Sequence, residues 1–220
     1  MKVIALLAHK GGVGKTTLAI NLAVAAQEAG LSVAIVDLDP QSSAAFWSKR
    51  RAATDASALL VVQYSVSELP IALEALAHLN TDIVFLDLAT SQVQASHRVC
   101  QLADFVLIPA QPSPVDIHAV AHTMAIADAA KKPASAVLNL CPHFGSATSD
   151  AANAILSDLR FPLAGQTLGR RIAHQKAYLA GRGVCETEPR SKAANEVSAV
   201  LNWLLDELSL DKPSKGGGDD

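Results

Sequence analysis

The chain has 220 residues, of which 50% are hydrophobic and 18% charged; that is ample for a buried core and excludes disorder as its main state. Its 18 Lys+Arg stand against 21 Asp+Glu, a net charge of -3, which excludes a protein that is basic all over and coats nucleic acid by bulk charge. Cys100, Cys141 and Cys185 lie far apart, with neither CxxC pairing nor His at ligand spacing, so no disulfide framework or zinc site is expected and a reducing cytoplasm is the expected compartment. The apolar stretch from Met1 to Ala8 is too short for a signal segment or a membrane span, and the protein is expected to be soluble and unexported.

In chain order, a buried strand is predicted over Val3 to Ala8, then a helix from Thr16 to Ala29 that closes at Gly30, a residue suited to the position after a helix end. A strand over Val33 to Leu38 leads into a helix over Ser42 to Ala53, and a second helix follows over Ser67 to Leu79. Strands over Ile83 to Leu88, Phe105 to Pro109 and Ala136 to Leu140 alternate with helices over Ser91 to Leu102, Val115 to Lys131 and Ser149 to Leu159, and a last helix covers Lys192 to Leu208. The short apolar runs lack polar alternation, as strands buried on both faces do. The expected fold is therefore α/β: a single doubly wound domain with a mainly parallel sheet flanked by helices. It should span residues 1–209, with 210–220 as a disordered polar tail.

In open parallel sheets the ligand crevice lies beyond the carboxyl ends of the strands, and the residues there are informative. After the first strand comes His9-Lys10-Gly11-Gly12-Val13-Gly14-Lys15-Thr16-Thr17, running into a helix. Three glycines let the backbone wrap phosphate oxygens, the helix N-terminus points amides at them, Lys15 supplies a cation and Thr16 offers a hydroxyl to Mg²⁺. The strict pattern wants Gly five residues before Gly14, where this chain has His9. The octapeptide KGGVGKTT resembles the deviant Walker A loop of the ParA/MinD family, and from it Gly11, Gly12, Val13, Gly14 and Thr17 are expected to bind nucleotide with Lys15 and Thr16. The resemblance implies a second role for Lys10, which as a signature lysine crosses a dimer interface to the partner's nucleotide, much as an arginine finger does. Without the resemblance Lys10 reads as a solvated loop lysine.

The second strand ends Asp37-Leu38-Asp39-Pro40-Gln41. Strand alternation puts Asp37 and Asp39 on one face at the crevice, where Mg²⁺ and an attacking water would sit; alternatively both are turn acids capping the next helix. Resemblance to switch I of ParA-like ATPases implies that Asp39 serves the water and Asp37 the metal. The third long apolar run ends at Asp87 and resembles a Walker B strand whose acid lies near the magnesium. The family usually continues Thr-Pro-Pro or Gly-Ala-Gly, whereas here Leu88-Ala89-Thr90 follows. The span from Ile108 to Asp116 resembles the family's IPxQPSPxD segment beside the dimer interface; on physical grounds it is a rigid turn whose prolines delay helix until after Pro114. By the same resemblance Asn139 matches the adenine-binding position and Pro189, in Pro189-Arg190-Ser191, the turn that closes over the base; Asn at a strand end is equally a plain turn residue.

Charge is uneven along the chain: residues 160–192 carry seven Lys+Arg and two Asp+Glu, while the segments on either side are acidic. Arg160, Arg170, Arg171, Lys176, Arg182, Arg190 and Lys192 form this block. With one Tyr and one Phe it lacks a stacking platform, so salt-sensitive phosphate contact with nonspecific duplex DNA is the better reading. A solvated charged face is the alternative. The spacing Arg171, Lys176, Gly181, Val184, Glu186 resembles the family's DNA-binding C-terminal region, and Arg170, Arg171, Lys176 and Arg182 are the expected contacts. The last helix reads as a docked core helix, and its acidic residues disfavour membrane binding.

The resemblance is to short ParA-type proteins without an added helix-turn-helix domain. It implies an Mg-ATP-dependent homodimer, cytoplasmic and nucleoid-associated, that binds nonspecific DNA, drives plasmid or chromosome partition and is released when a centromere-binding or cargo adaptor protein stimulates hydrolysis. A related ATPase positioning a protein cargo is the first alternative. A monomeric phosphotransferase and an iron-sulfur reductase with the same loop are the others; Cys100 and Cys141 lack the glycine-rich setting of cluster ligands.

Overall fold

Short β-branched runs need cover on both faces, and the computed structural model, which describes residues 1–90, 93–142, 147–158 and 161–210, provides it. Strands β1 (Lys2–Leu6), β2 (Val33–Asp37), β3 (Leu60–Gln63), β4 (Ile83–Asp87), β5 (Phe105–Ala110) and β6 (Ala134–Leu138) form one parallel sheet in the order β3-β2-β4-β1-β5-β6. The helices are α1 (Lys15–Glu28), α2 (Ser43–Arg51), α3 (Leu69–His78), α4 (Val93–Leu102), α5 (Pro114–Ala129), α6 (Ala147–Asp158), α7 (Ile172–Leu179), α8 (Val184–Thr187) and α9 (Lys192–Glu207). Alternate residues of each central strand enter opposite cores: Ile4, Leu6 and Ile35 pack under α1, α2 and α9, while Val3, Ala5, Ala34 and Val36 pack under α3, α4 and α5. The doubly wound α/β fold expected from the sequence is the fold observed.

The chain crosses over β1 between β4 and β5, so the crevice at the carboxyl ends of β1, β2 and β4 is open. Helix α1 descends from that crevice with ten of its 14 residues buried. Against it lies α9, whose Val197, Val200, Leu201, Leu204 and Leu205 are buried, the docked core helix expected. No described helix is long and apolar enough to cross a membrane.

Three features differ from the sequence reading. Strand β3 was absent from it, because an edge strand of four residues with Leu60 and Gln63 exposed has little hydrophobic signature; the run ending at Asp87 is consequently the fourth strand. Helices α7 and α8, which the sequence reading does not contain, lie within the span of the basic block. Helix α5 begins at Pro114 itself, since proline suits the first helical position and the Ser113 side chain accepts from Asp116 N–H. The expected tail lies, from residue 211, outside the described residues.

A buried ion pair ties the C-terminal segment to the sheet. Arg51 of α2 donates from Nη2 to Glu186 Oε1 at 2.7 Å and from Nη1 to Oε2 at 2.9 Å, with its remaining donors on Ser57 O, Gly181 O and Gln27 Oε1. Both side chains are almost fully buried, and the Arg51 guanidinium lies 5.2 Å from the Trp47 ring centroid. Gly181, with φ of +67, lets α7 meet α2 this closely: a Cβ there would fall 2.5 Å from Arg51 N.

Candidate functional site

The loop leaving β1 is shaped for an anion. Gly12 and Gly14 adopt φ of +76 and +86, which only glycine takes without strain, and a Cβ on Gly14 would fall 2.6 Å from Asn139 Nδ2. Two carboxamides fix the loop from behind: Asn139 Nδ2 donates to Val13 O at 2.8 Å and Gln111 Nε2 donates to Gly12 O at 3.1 Å. Helices α5 and α9 are capped by Ser113 and Ser191, but α1 has neither a side-chain cap nor an acid in its first turn. Its first amides, with about half a positive charge from the helix dipole, therefore face the crevice. Lys15, only 8% exposed, opens this helix. Burial pushes its pKa down, against the pull of Asp87 and Asp39, and its Nζ donates to Thr90 Oγ1 at 2.6 Å.

Opposite this positive pole stand the acids. Asp37 and Asp87 are register partners at the ends of β2 and β4, both buried. Asp87 accepts from the Thr16 side chain, yet burial pushes its carboxyl up to about 7, and its Oδ2 has no hydrogen-bond partner. Burial also raises Asp37, opposed by the N–H groups of Ala45, Asp39 and Ala44. An orphaned carboxylate oxygen beside a second carboxylate and a threonine hydroxyl is a donor set that fits a hard cation such as Mg²⁺. Strand β2 ends at Asp37, so strand alternation does not place Asp39; it sits in the following turn, its N–H donating to Asp37 Oδ1 and its Oδ1 accepting from Gln41 N–H. Asp37 also accepts from Ala45 N–H at 3.0 Å in the first turn of α2, so metal-site and capping readings coincide in one residue.

Lys10 keeps 40% of its side chain exposed and is held by a buried acid. Its Nζ lies 2.6 Å from Asp116 Oδ2, and Asp116 is 2% exposed. Ser113 Oγ donates to the same oxygen, while Asp116 Oδ1 is without a partner. His9, in place of glycine, contacts Thr123 Oγ1 through Nδ1 at 2.9 Å; since Thr123 donates its own proton to Ala119 O, His9 carries its proton on Nδ1.

Beside the loop is a cleft of about 600 Å³ lined by Gly12, Thr16, Asn139, Leu168, His174 and Tyr178 among others, large enough for a nucleoside. Asn139 lines it, though its Nδ2 and Oδ1 already hold Val13 O and Leu140 N–H. Pro189 does not line it; that turn is exposed and Ser191 caps α9 instead. The basic block is divided by the folding of α7. Arg170 and Arg171 line the cleft, Arg171 donating from Nε to Glu196 Oε2 at 2.8 Å, so the charge of Arg171 is compensated. Arg182 pairs with Asp55, Lys176 is exposed, and Arg160 lies outside the described residues. The sequence reading missed Thr90, Gln111, His174 and Tyr178 at this site; Gln111 carried a signal, as part of the proline-rich segment.

A glycine loop on an uncapped helix, a buried lysine and two buried aspartates at a parallel-sheet switch point define a phosphate-loop nucleotide-binding domain. The chain belongs to the CobQ/CobB/MinD/ParA nucleotide-binding domain family, which it matches over residues 4–182. It is 32% identical over 205 residues to Maintenance of carboxysome distribution protein A of Halothiobacillus neapolitanus, covering 89% of this chain and 93% of that protein. Its fold is that of the Pyrococcus furiosus cell division ATPase MinD, with a TM-score of 0.78 at 18% identity over 94% of this chain and 99% of that one. The septum site-determining protein MinD of Pyrococcus horikoshii, complexed with Mg-ADP, aligns with a TM-score of 0.74 at 18% identity, covering 94% of this chain and 97% of that one.

Proposed function

We propose that this protein is an Mg-ATP-dependent ATPase that dimerises around its nucleotide, binds nonspecific duplex DNA in the ATP state and distributes a cargo over the nucleoid in the cytoplasm. The observation that carries the reading is the buried Lys15 at the uncapped end of α1, within the electrostatic pull of Asp87, whose Oδ2 is orphaned. Lys15 and the amides of Gly11 to Thr17 would bind phosphates, with Thr16, Asp87 and Asp37 holding Mg²⁺. The metal supplies charge neutralisation to the phosphates when bound. Asp39, half-exposed at the rim, orients the attacking water, and the cleft with Asn139 takes adenine. Lys10 leaves Asp116 to reach the partner's nucleotide.

Similarity along nearly the whole chain to a carboxysome distribution protein favours a protein assembly as cargo over a plasmid or chromosome, with an adaptor on the cargo stimulating hydrolysis. For DNA, α7 carries the exposed Lys176 and packs on α2, which carries Lys49 and Arg50, with Arg50 Nη1 donating to Leu179 O at 3.1 Å. These three, rather than the cleft-lining Arg170 and Arg171, supply phosphate contacts. Light scattering tests the core of the reading: the mass doubles in Mg-ATP and not in Mg-ADP, and Lys10→Ala stays monomeric. A wild type that stays monomeric in Mg-ATP contradicts it.

A further inference from the structure

The cleft beside the glycine loop carries one uncompensated charge. None of the described residues that line it is Asp or Glu, and its two guanidinium groups are placed differently. Arg171 is held by the buried Glu196, whose Oε2 accepts from Arg171 Nε at 2.8 Å and from Gly169 N–H at 3.1 Å. Arg170 is exposed and, among the described residues, forms no ion pair. A lone cation on the wall of a cleft without carboxylates favours an anion there.

The backbone of Arg170 is fixed. The segment from Leu163 to Gly169 runs parallel to β6, with bridges that pair Ala136 with Leu163 and Cys141 with Gly169, and Arg170 N–H donates to Cys141 O at 2.7 Å. Arg170 therefore sits at the carboxyl edge of the sheet, the side on which ligands bind. Its Nη2 lies 3.4 Å from Gln111 Oε1, and the same carboxamide donates from Nε2 to Gly12 O at 3.1 Å, so the guanidinium stands where cleft and loop meet. A nucleoside in the cleft whose phosphates lie on the loop brings its inner phosphates to that junction. The bond to Gln111 is long and its acceptor neutral; a guanidinium with five donors exchanges it for paired, charge-assisted bonds to phosphate oxygens.

We propose that Arg170 is a nucleotide-binding residue that clamps the inner phosphates of its own protomer's nucleotide, those that ADP shares with ATP. Given the ATP reading above, on which this role rests, the arginine contributes equally to ADP and ATP and acts without a dimer.

The test is titration of fluorescent N-methylanthraniloyl-ADP with Mg²⁺ on wild type, Arg170→Ala and Arg170→Lys, with ATP as competitor and melting curves without nucleotide in parallel. Arg170→Ala binds both nucleotides roughly five- to twentyfold more weakly, Arg170→Lys recovers part of the loss, and both variants melt as wild type does, because an exposed side chain with one long bond holds little of the fold. An Arg170→Ala protein with wild-type ADP affinity overturns the assignment, whether or not it loses duplex DNA retention. A loss confined to ATP also overturns it and moves the arginine to the terminal phosphate or across the dimer, and a lower melting temperature without nucleotide overturns it in favour of a structural role. Wild type that binds neither nucleotide overturns the ATP reading as well.

Discussion

Replacing Asp87 by Asn removes one buried charge while keeping the side chain's size and an acceptor for Thr16. Burial pushes the Asp87 carboxyl from its ordinary 3.8 up to about 7. Between those values the folded chain holds a proton that the unfolded chain has released, so this group makes stability fall as pH rises through the window. Above it both states are ionised and the folded state bears the full cost, at most roughly 4 kcal/mol at 1.36 kcal/mol per pKa unit. Asn carries no such cost. Urea unfolding in a chelator without nucleotide therefore finds Asp87→Asn more stable than wild type by roughly 2–4 kcal/mol near pH 8, and by distinctly less near pH 5. His9 and His174, both lowered by burial, weaken wild type and variant alike on the acid side and cancel in the comparison. Mg-ATP reverses the order, because the carboxylate then has a cation to hold. A difference that is the same at both pH values, or a variant less stable near pH 8, refutes the reasoning.

Glu186→Gln leaves Arg51 buried with its charge uncompensated and costs about 3–5 kcal/mol in denaturant unfolding, while the double change Arg51→Met with Glu186→Leu recovers most of the loss; a single variant within about 1 kcal/mol of wild type contradicts the buried-pair argument. Asp116→Asn removes the charge that holds Lys10 in the monomer, and the ATP-dependent dimer tightens by about tenfold in a light-scattering concentration series. An unchanged dimer affinity means that Lys10 does not have to leave Asp116.

The central strands and the glycine loop were legible because their signals are local: β1, β2, β4, β5 and β6 are continuous apolar runs, and Gly11 to Thr17 is a contiguous motif. What was not legible depends on distance or exposure. Strand β3 is half-exposed at the sheet edge, so burial leaves little pattern in it. The partners Arg51 and Glu186 are 135 residues apart, and Lys10 and Asp116 are 106 apart; no spacing rule joins them. The basic block was visible as composition, yet charge counts could not divide it between the nucleotide cleft and the outer face of α7. Strand alternation carried on to Asp39 oversteps β2, which ends at Asp37 with a last cross-strand bond from Leu38 N–H to Asp87 O.

Nucleotide-dependent DNA binding tests the central claim most directly, measured by filter retention of a random-sequence duplex across a salt series with ATP, ADP and no nucleotide. The account predicts retention in Mg-ATP only, falling steeply with salt, with a shallower salt slope and weaker binding in a Lys49→Ala, Arg50→Ala, Lys176→Ala variant that still binds ATP. Retention that is the same in all three nucleotide states, or absent in Mg-ATP, contradicts it.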